Sequence, residues 1–282
     1  MRVAYLGPAG TFSADALKEA TAGEEIEGVP AASIYDAVLA VEKREAERAL
    51  VPFENSNEGS VRSTLDTLAF DAGDVAIVGE YDFTVRTSLM AREQIALEQV
   101  EVVLSHPQAS AQCARFVREN MPKAEVRAAP STSDAVRQVS ESGEPWAALG
   151  AASAAELYGC AILREGVEDE PDNVTRFVWL APAGTEPQGE GPWKTSLVFS
   201  ELGDDHPGAL VEALAEFSSR GVNLSRIESR PLRRGLGRYM FFLDIEGASG
   251  DESVAAAIDA LRAKAESVRL LGSYPLRAAG VP

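Results

Sequence analysis

Four short polar loops hold the side chains best suited to chemistry: GPAGTFS from Gly7, ENSNEGSV from Glu54, SHPQASAQ from Ser105 and NVTRF from Asn173. Each adjoins an apolar run, and a polar cluster at a strand end is where α/β folds place ligand-binding groups. In the first loop, glycines let the backbone come close to a ligand, while Thr11 and Ser13 stand at a helix start whose unpaired N–H groups attract anions. The same hydroxyls also serve as plain helix caps. The spacing fits neither a Walker loop nor a dinucleotide fingerprint, so no nucleotide is expected. In the second loop Asn55 offers both a donor and an acceptor, suited to orienting a carboxylate or hydroxyl. Glu54 and Glu58 read either as a carboxylate pair for acid/base work or as charges stabilised by a following helix N-terminus.

The third loop puts Ser105 at a strand end and Gln108 and Gln112 four apart on one helical face. Neutral amides favour hydrogen-bonded recognition over proton abstraction. His106 precedes Pro107 in a loop and reads as a turn residue rather than a base. The other histidine, His206, lies far along the chain, so two histidines exclude a multi-His metal site, and no metal or cofactor is expected. In the fourth loop Arg176 can bind a carboxylate in bidentate fashion, and the Thr175 hydroxyl can hydrogen-bond a developing or leaving oxygen.

The elements that must position these loops repeat. Leu6, Ser33, Asp36, Ala37, Val38 and Ala49 have identical partners at an offset of 98 residues in Leu104, Ser131, Asp134, Ala135, Val136 and Ala147. The order apolar strand, polar loop, helix, strand, Ser-x-x-Asp helix, strand also recurs, which predicts two similar α/β lobes with facing loops. Helices are expected from Thr11 or Ser13, from Ser33 to about Arg44, and over Val61–Phe70, Ala109–Glu119, Ser133–Ser142 and Ala151–Tyr158. Strands are expected at Val3–Leu6, Ile26–Val29, Ala49–Val51 and Phe177–Leu180. The extended run Val75–Arg86 is expected to open the second lobe. APAGTEPQGEGP, from Ala181 to Pro192, reads as a linker. Beyond it a strand-helix-strand-strand-helix-strand order predicts a ferredoxin-like domain. The expected domains are a bilobal region 1–183 (lobe 1 about 1–73 and 174–183, lobe 2 about 74–173), a linker 184–193 and a C-terminal domain 194–275.

A chain of 282 residues with 45% apolar and 25% charged residues suits two or three folded units. Its net charge of −18 repels nucleic acid and anionic membrane, excluding both as partners. Five of the 26 basic residues are Lys, which fits either a salt-adapted source or GC-rich codon usage. Cys113 and Cys160 have neither disulfide nor metal spacing and read as buried reduced thiols. The opening MRVAYLGPAG lacks a signal-peptide span and no long apolar run follows, so a cytoplasmic protein is expected.

Taken together, GPAGTFS, VPFENSNEGSV, SHPQASAQC, AALGAASAAELYG and NVTRF resemble the prephenate dehydratase family in content and order. HPGAL from His206, VNLSRIESRP from Val222 and YMFFLDIEG from Tyr239 resemble its C-terminal ACT domain. The resemblance covers nearly the whole chain. It implies two lobes like those of periplasmic binding proteins, a ferredoxin-like ACT domain, and decarboxylative dehydration of prephenate to phenylpyruvate without a cofactor. It further implies Thr175 as catalytic, with Asn55, Ser105 and Gln112 lining the site. The substrate-binding set is Thr11, Phe12, Ser13, Glu54, Ser56, Gly59, Arg176 and Phe177. L-Phenylalanine is the implied effector, held by Gly208, Ala209, Leu210, Asn223, Leu224, Glu228 and Ser229 in a homodimer or homotetramer. Asn57, Ser110 and the RRGLGR stretch from Arg233 match the family less well. Arogenate dehydratase and a non-catalytic amino-acid sensor are the alternatives.

Overall fold

Ser33 and Ser131 begin helices by the same chemistry. The Ser33 hydroxyl accepts the Asp36 N–H at 3.1 Å and donates to the Asp36 carboxylate at 2.6 Å, and Ser131 accepts the Asp134 N–H at 3.0 Å. Each bond satisfies one of the orphan N–H groups of a helix start. Thr11 caps the first helix in the same way, accepting from Ala14 N at 3.4 Å.

A computed structural model describes residues 1–202 and 206–278. The first half runs β1 (Arg2–Leu6), α1 (Phe12–Ala20), β2 (Glu27–Ala31), α2 (Ile34–Glu42), β3 (Arg48–Asn55), β4 (Gly59–Ser60), α3 (Arg62–Phe70) and β5 (Val75–Thr84). Then come β6 (Ser88–Ala91), β7 (Val102–Ser105), α4 (Pro107–Gln112), α5 (Ala114–Asn120), β8 (Glu125–Ala128), α6 (Thr132–Glu141), β9 (Trp146–Gly150), α7 (Ala152–Tyr158), β10 (Ala161–Glu165) and β11 (Val174–Pro182). The remainder is β12 (Gly189–Ser200), α8 (Ala209–Ser218), β13 (Leu224–Pro231), β14 (Tyr239–Glu246), α9 (Glu252–Arg262) and β15 (Ser267–Ala278).

Among the described residues the strands form three sheets, ordered β2-β1-β3-β11-β5 with β4 on β3, β10-β6-β9-β7-β8, and β13-β14-β12-β15. Read from the other edge, the second sheet repeats the first: β8-β7-β9 corresponds to β2-β1-β3, so the internal repeat seen in the chain is a repeat of topology. Both begin with a parallel strand-helix-strand unit, β1 with β2 and β7 with β8. The chain also divides into two compact units. One comprises 1–37, 50–61 and 81–177, and the other 38–49, 62–80 and 178–282. Strands β3, β5 and β11 pass from one unit into the other.

The second sheet shows why its strands read as unbroken apolar runs. Leu89, Ala91, Val103, Ala147 and Leu149 pack with Cys113, Val117 and Met121. The alternate residues Met90, Val102, Leu104 and Ala148 pack with Ala135, Val136, Val139, Ala154 and Ala155. Successive side chains point to opposite faces, and here helices cover both.

Four expectations are corrected. Val75–Arg86 does not open the second lobe: β5 is an edge strand of the first sheet beside β11, and β6 belongs to the second. Strand β3 continues past Val51 to Asn55, carrying the polar loop's first residues in the ladder. The single helix expected over Ala109–Glu119 is broken at Cys113, whose N–H bonds Ser110 O at 3.4 Å. The Asp169 carboxylate then caps the new start, accepting Arg115 N at 2.9 Å and Phe116 N at 3.1 Å. Finally, part of the expected linker is strand, because Gly189 and Glu190 of β12 pair with β15.

The C-terminal sheet buries one face under α8 and α9 through Leu197, Phe199, Leu243, Ile245, Phe217, Ile258 and Leu261. Its other face meets α3 and the part of β5 around Ile77 that belongs to the same unit. A Cβ on Gly272 would lie 2.8 Å from the Ile77 carbonyl carbon and closer still to its oxygen, so no side chain fits there. Arg269 donates to the carbonyls closing α3 and the turn after it: Leu68 at 2.6 Å, Ala72, and Gly73 at 3.3 Å. Those carbonyls are the orphan acceptors of a helix end, where a cation is favoured.

Asp66 on α3 receives Arg230 Nε at 3.0 Å and Nη2 at 2.7 Å, with Arg233 Nη2 at 2.9 Å. Burial pushes the Asp66 carboxyl up, but the two guanidinium groups outweigh it and hold it below the usual carboxylate range. A depressed folded pKa adds stability above the unfolded value of about 3.9, lost as pH falls through the folded pKa. Thermal melts of wild type and Asp66→Asn are therefore expected to differ most near neutrality and to converge below about pH 4. A gap unchanged down to pH 3 would refute this.

Candidate active site

Strand β3 ends at Asn55, and its sheet neighbour β11 begins at Val174. Two of the polar loops are thus laid side by side, Asn55 meeting Asn173 across 118 residues of sequence. Ser56 stitches them together: its N–H donates to Val174 O at 2.9 Å, and its hydroxyl donates to Asp172 O at 3.1 Å and accepts Val174 N at 3.0 Å. Ser56 is therefore spent on holding backbone. Gly59, at φ +80, turns the chain into β4, which pairs back on β3.

Asn55, 7% exposed, is the organising side chain. Its Oδ1 accepts the backbone N–H groups of Asn57 and Glu58, each at 3.0 Å, an Asx turn. Because N–H groups approach only the oxygen, the amide has one orientation, with Nδ2 on the far side. Nδ2 donates to Asn173 Oδ1 at 2.7 Å and to Thr175 Oγ1 at 2.9 Å. Thr175 thus serves as acceptor in that bond, and its own hydrogen is left to point elsewhere. Asn173, 1% exposed, donates to Gln112 Oε1 at 3.2 Å, and Gln112 donates to Glu58 at 3.5 Å, the outer limit for such a bond.

Gln112 reaches this point because α4 is tied to the segment before β11. Gln112 O accepts Asp169 N at 2.7 Å, beside the Asp169 cap on α5. The structure therefore joins three expected residues, Asn55, Gln112 and Thr175, in one network. It adds Asn173, noted in its motif but absent from the expected site. Its signal was available: it lies two residues before Thr175, and alternate residues of an extended chain share a face.

Other expected residues stand apart from that group. The Ser105 hydroxyl is wholly buried and donates to Leu149 O at 2.8 Å, across the β7–β9 ladder. Thr11 donates to Pro8 O at 2.9 Å besides capping α1, the structural reading of its loop. Phe12 and Ser13 form the first turn of that helix. Gly10 is held at φ +74, where a Cβ would meet Ser133 Oγ at 3.1 Å. Arg176 points to the strand face opposite Thr175, pairs with Glu54 at 3.2 Å and lies 4.9 Å over the Phe53 ring. Arg176, expected to hold a substrate carboxylate, is paired here with Glu54, while Glu58 is approached by Gln112, so the two glutamates have separate partners. Phe177 is core, edge-on to Phe83 at 6.2 Å.

His106 caps α4, its Nδ1 accepting Gln108 N at 3.3 Å, in keeping with a turn role. Burial pushes the Cys113 thiol up to about 12 and that of Cys160 upward, so neither is a nucleophile near neutrality. In the C-terminal sheet, Gly208 precedes α8, Ala209 and Leu210 open it, and Leu224, Glu228 and Ser229 lie on edge strand β13. Asn223 just before β13 donates to Glu246 at 2.8 Å. Among the described residues no helix is long and apolar enough to cross a membrane.

The family model described as prephenate dehydratase matches residues 3–185, and that of the ACT domain matches 198–263. A prephenate dehydratase from Mycobacterium marinum is 39% identical over 282 residues, covering 97% of this chain and 88% of the relative. The crystal structure of prephenate dehydratase from Arthrobacter aurescens in complex with L-Phe is 38% identical, with TM-score 0.89 over 100% of this chain and 93% of that one. GqqA, described as a novel type of quorum quenching acylase, is 31% identical, with TM-score 0.83 over 98% of each chain.

Proposed function

The chain belongs to the prephenate dehydratase family, and on that premise we propose how its residues carry out the conversion of prephenate to phenylpyruvate. One ring carboxylate leaves as carbon dioxide, the electron pair of its C–C bond enters the ring, and the C–O bond at the opposite ring carbon breaks. The departing hydroxide takes up one proton and leaves as water. Aromatisation supplies the driving force, so the protein has to orient the diacid and ease the loss of hydroxide.

One observation carries the reading: the locked Asn55 amide donates to Thr175 Oγ1 at 2.9 Å. With that lone pair engaged, the Thr175 O–H is directed away from Asn55 and toward the substrate's departing oxygen. An aliphatic hydroxyl is a feeble acid, so Thr175 acts by hydrogen bonding to developing charge, or by passing on a proton from water. Gln112 and the N–H groups of the first loop orient the substrate. Ser105, its hydrogen committed to Leu149, supports the fold of its strand end. An acylase reaction of the kind named for GqqA requires a nucleophile beside a base, whereas Thr175 is flanked by amides.

The C-terminal domain, placed at 194–275 after a catalytic region 1–183, binds L-phenylalanine through Gly208, Ala209, Leu210, Asn223, Leu224, Glu228 and Ser229. It works in a cytoplasmic homodimer or homotetramer. Feedback requires that phenylalanine bind the two functional states unequally. The test is phenylpyruvate formation from purified protein, with prephenate and arogenate compared and phenylalanine added. Activity on prephenate that phenylalanine changes supports the reading. No turnover of prephenate, or preference for arogenate, overturns it.

A further inference from the structure

We propose that Asn173 and Glu58 are positioning residues for Thr175, acting through a closed ring of hydrogen bonds that permits the Asn55 amide a single orientation. The ring runs from Asn55 Nδ2 to Asn173 Oδ1 at 2.7 Å, from Asn173 Nδ2 to Gln112 Oε1 at 3.2 Å, and from Gln112 Nε2 to Glu58 Oε1 at 3.5 Å. It returns through Glu58 N–H to Asn55 Oδ1 at 3.0 Å. Every amide in it donates in one direction, toward the Glu58 carboxylate. Reversing any one would set N–H against N–H and oxygen against oxygen at its two neighbours.

Three physical consequences follow. First, one hydrogen of Asn55 Nδ2 is taken by Asn173, so the other is left for Thr175 Oγ1 at 2.9 Å, nearer than the alternative acceptor Val174 O at 3.3 Å. Second, aligned amides polarise one another, and a carboxylate at the accepting end strengthens each donor behind it. Third, Asn173 is held on its backbone side too, since its carbonyl accepts Val85 N at 2.8 Å. It is 1% exposed and cannot reach bulk solvent for a substitute partner. Exposed Glu58 lies at the solvent end of the ring.

This inference rests on Thr175 as donor to the departing oxygen, and a double-mutant cycle separates the two claims. Asn173→Ala is expected to lower kcat by about 10- to 100-fold, the scale of a misplaced reacting group, with KM within about threefold. Glu58→Gln keeps an acceptor without the charge and is expected to lower kcat by about 5-fold. Neither substitution should lower activity further when added to Thr175→Val, because both act through that hydroxyl. Losses that multiply in the double variants overturn the positioning role while leaving Thr175 in place. Full activity of Thr175→Val overturns the parent reading instead. If Asn173→Ala does not fold, Glu58→Gln at its exposed site still decides: an unchanged kcat sinks the proposal.

Discussion

Thr175→Val is expected to lower kcat for prephenate by about 100- to 1,000-fold, the range for removing one donor to a developing negative charge. Valine matches threonine in shape, so the β11 backbone and its 9% exposed position are kept. What is lost is the O–H and the oxygen that Asn55 Nδ2 addresses at 2.9 Å. Without that oxygen the Asn55 N–H keeps the more distant Val174 O, at 3.3 Å, so the accompanying loss of stability should be about 1 kcal/mol. Single-turnover rates and melting curves separate the two losses. Near-normal turnover in a folded variant removes Thr175 from the mechanism. Thr175→Ser, which retains a hydroxyl, should recover most of the rate.

The second large effect is on stability. Lys194 Nζ lies 2.8 Å from both carboxylate oxygens of Glu80, with the side chains 13% and 11% exposed. Tyr274, fully buried, donates to Glu80 at 3.3 Å and meets Ser196, which donates to the buried Asp244 at 2.7 Å. Lys194→Met takes the cation from the buried Glu80 carboxylate, leaving it Tyr274, and is expected to cost about 3 kcal/mol, the lower end for breaking a buried ion pair. That is a fall in Tm of roughly 10 °C. Adding Glu80→Leu should restore part of the loss, since apolar replacement of both ion-pair partners removes the buried charge that lacks its cation. A single variant as stable as wild type, or a double variant worse than the single, would contradict this account.

Much of the fold was legible because its signals are local. Ser33 and Ser131 announced helix starts through contacts three residues away. The repeat at offset 98 announced two like sheets. The break at Cys113 was not legible, since the Asp169 carboxylate that caps α5 lies 54 residues from Arg115. Nor was the place of β5, because an edge strand beside β11 and the first strand of a new sheet look alike as apolar runs.

The site divides along the same line. By itself the sequence determined the family, the element order and the four loops where chemistry could occur, since period, capping and turn preference are short-range properties of the chain. Only the tertiary structure decided which of those side chains meet. Asn55 finds Thr175 across 120 residues, and Lys194 finds Glu80 across 114. Arg176, one residue from Thr175, faces the other side of its strand, because successive side chains of an extended chain alternate. Such partnerships depend on which strands lie side by side and in what register, and a shift of one residue reverses them.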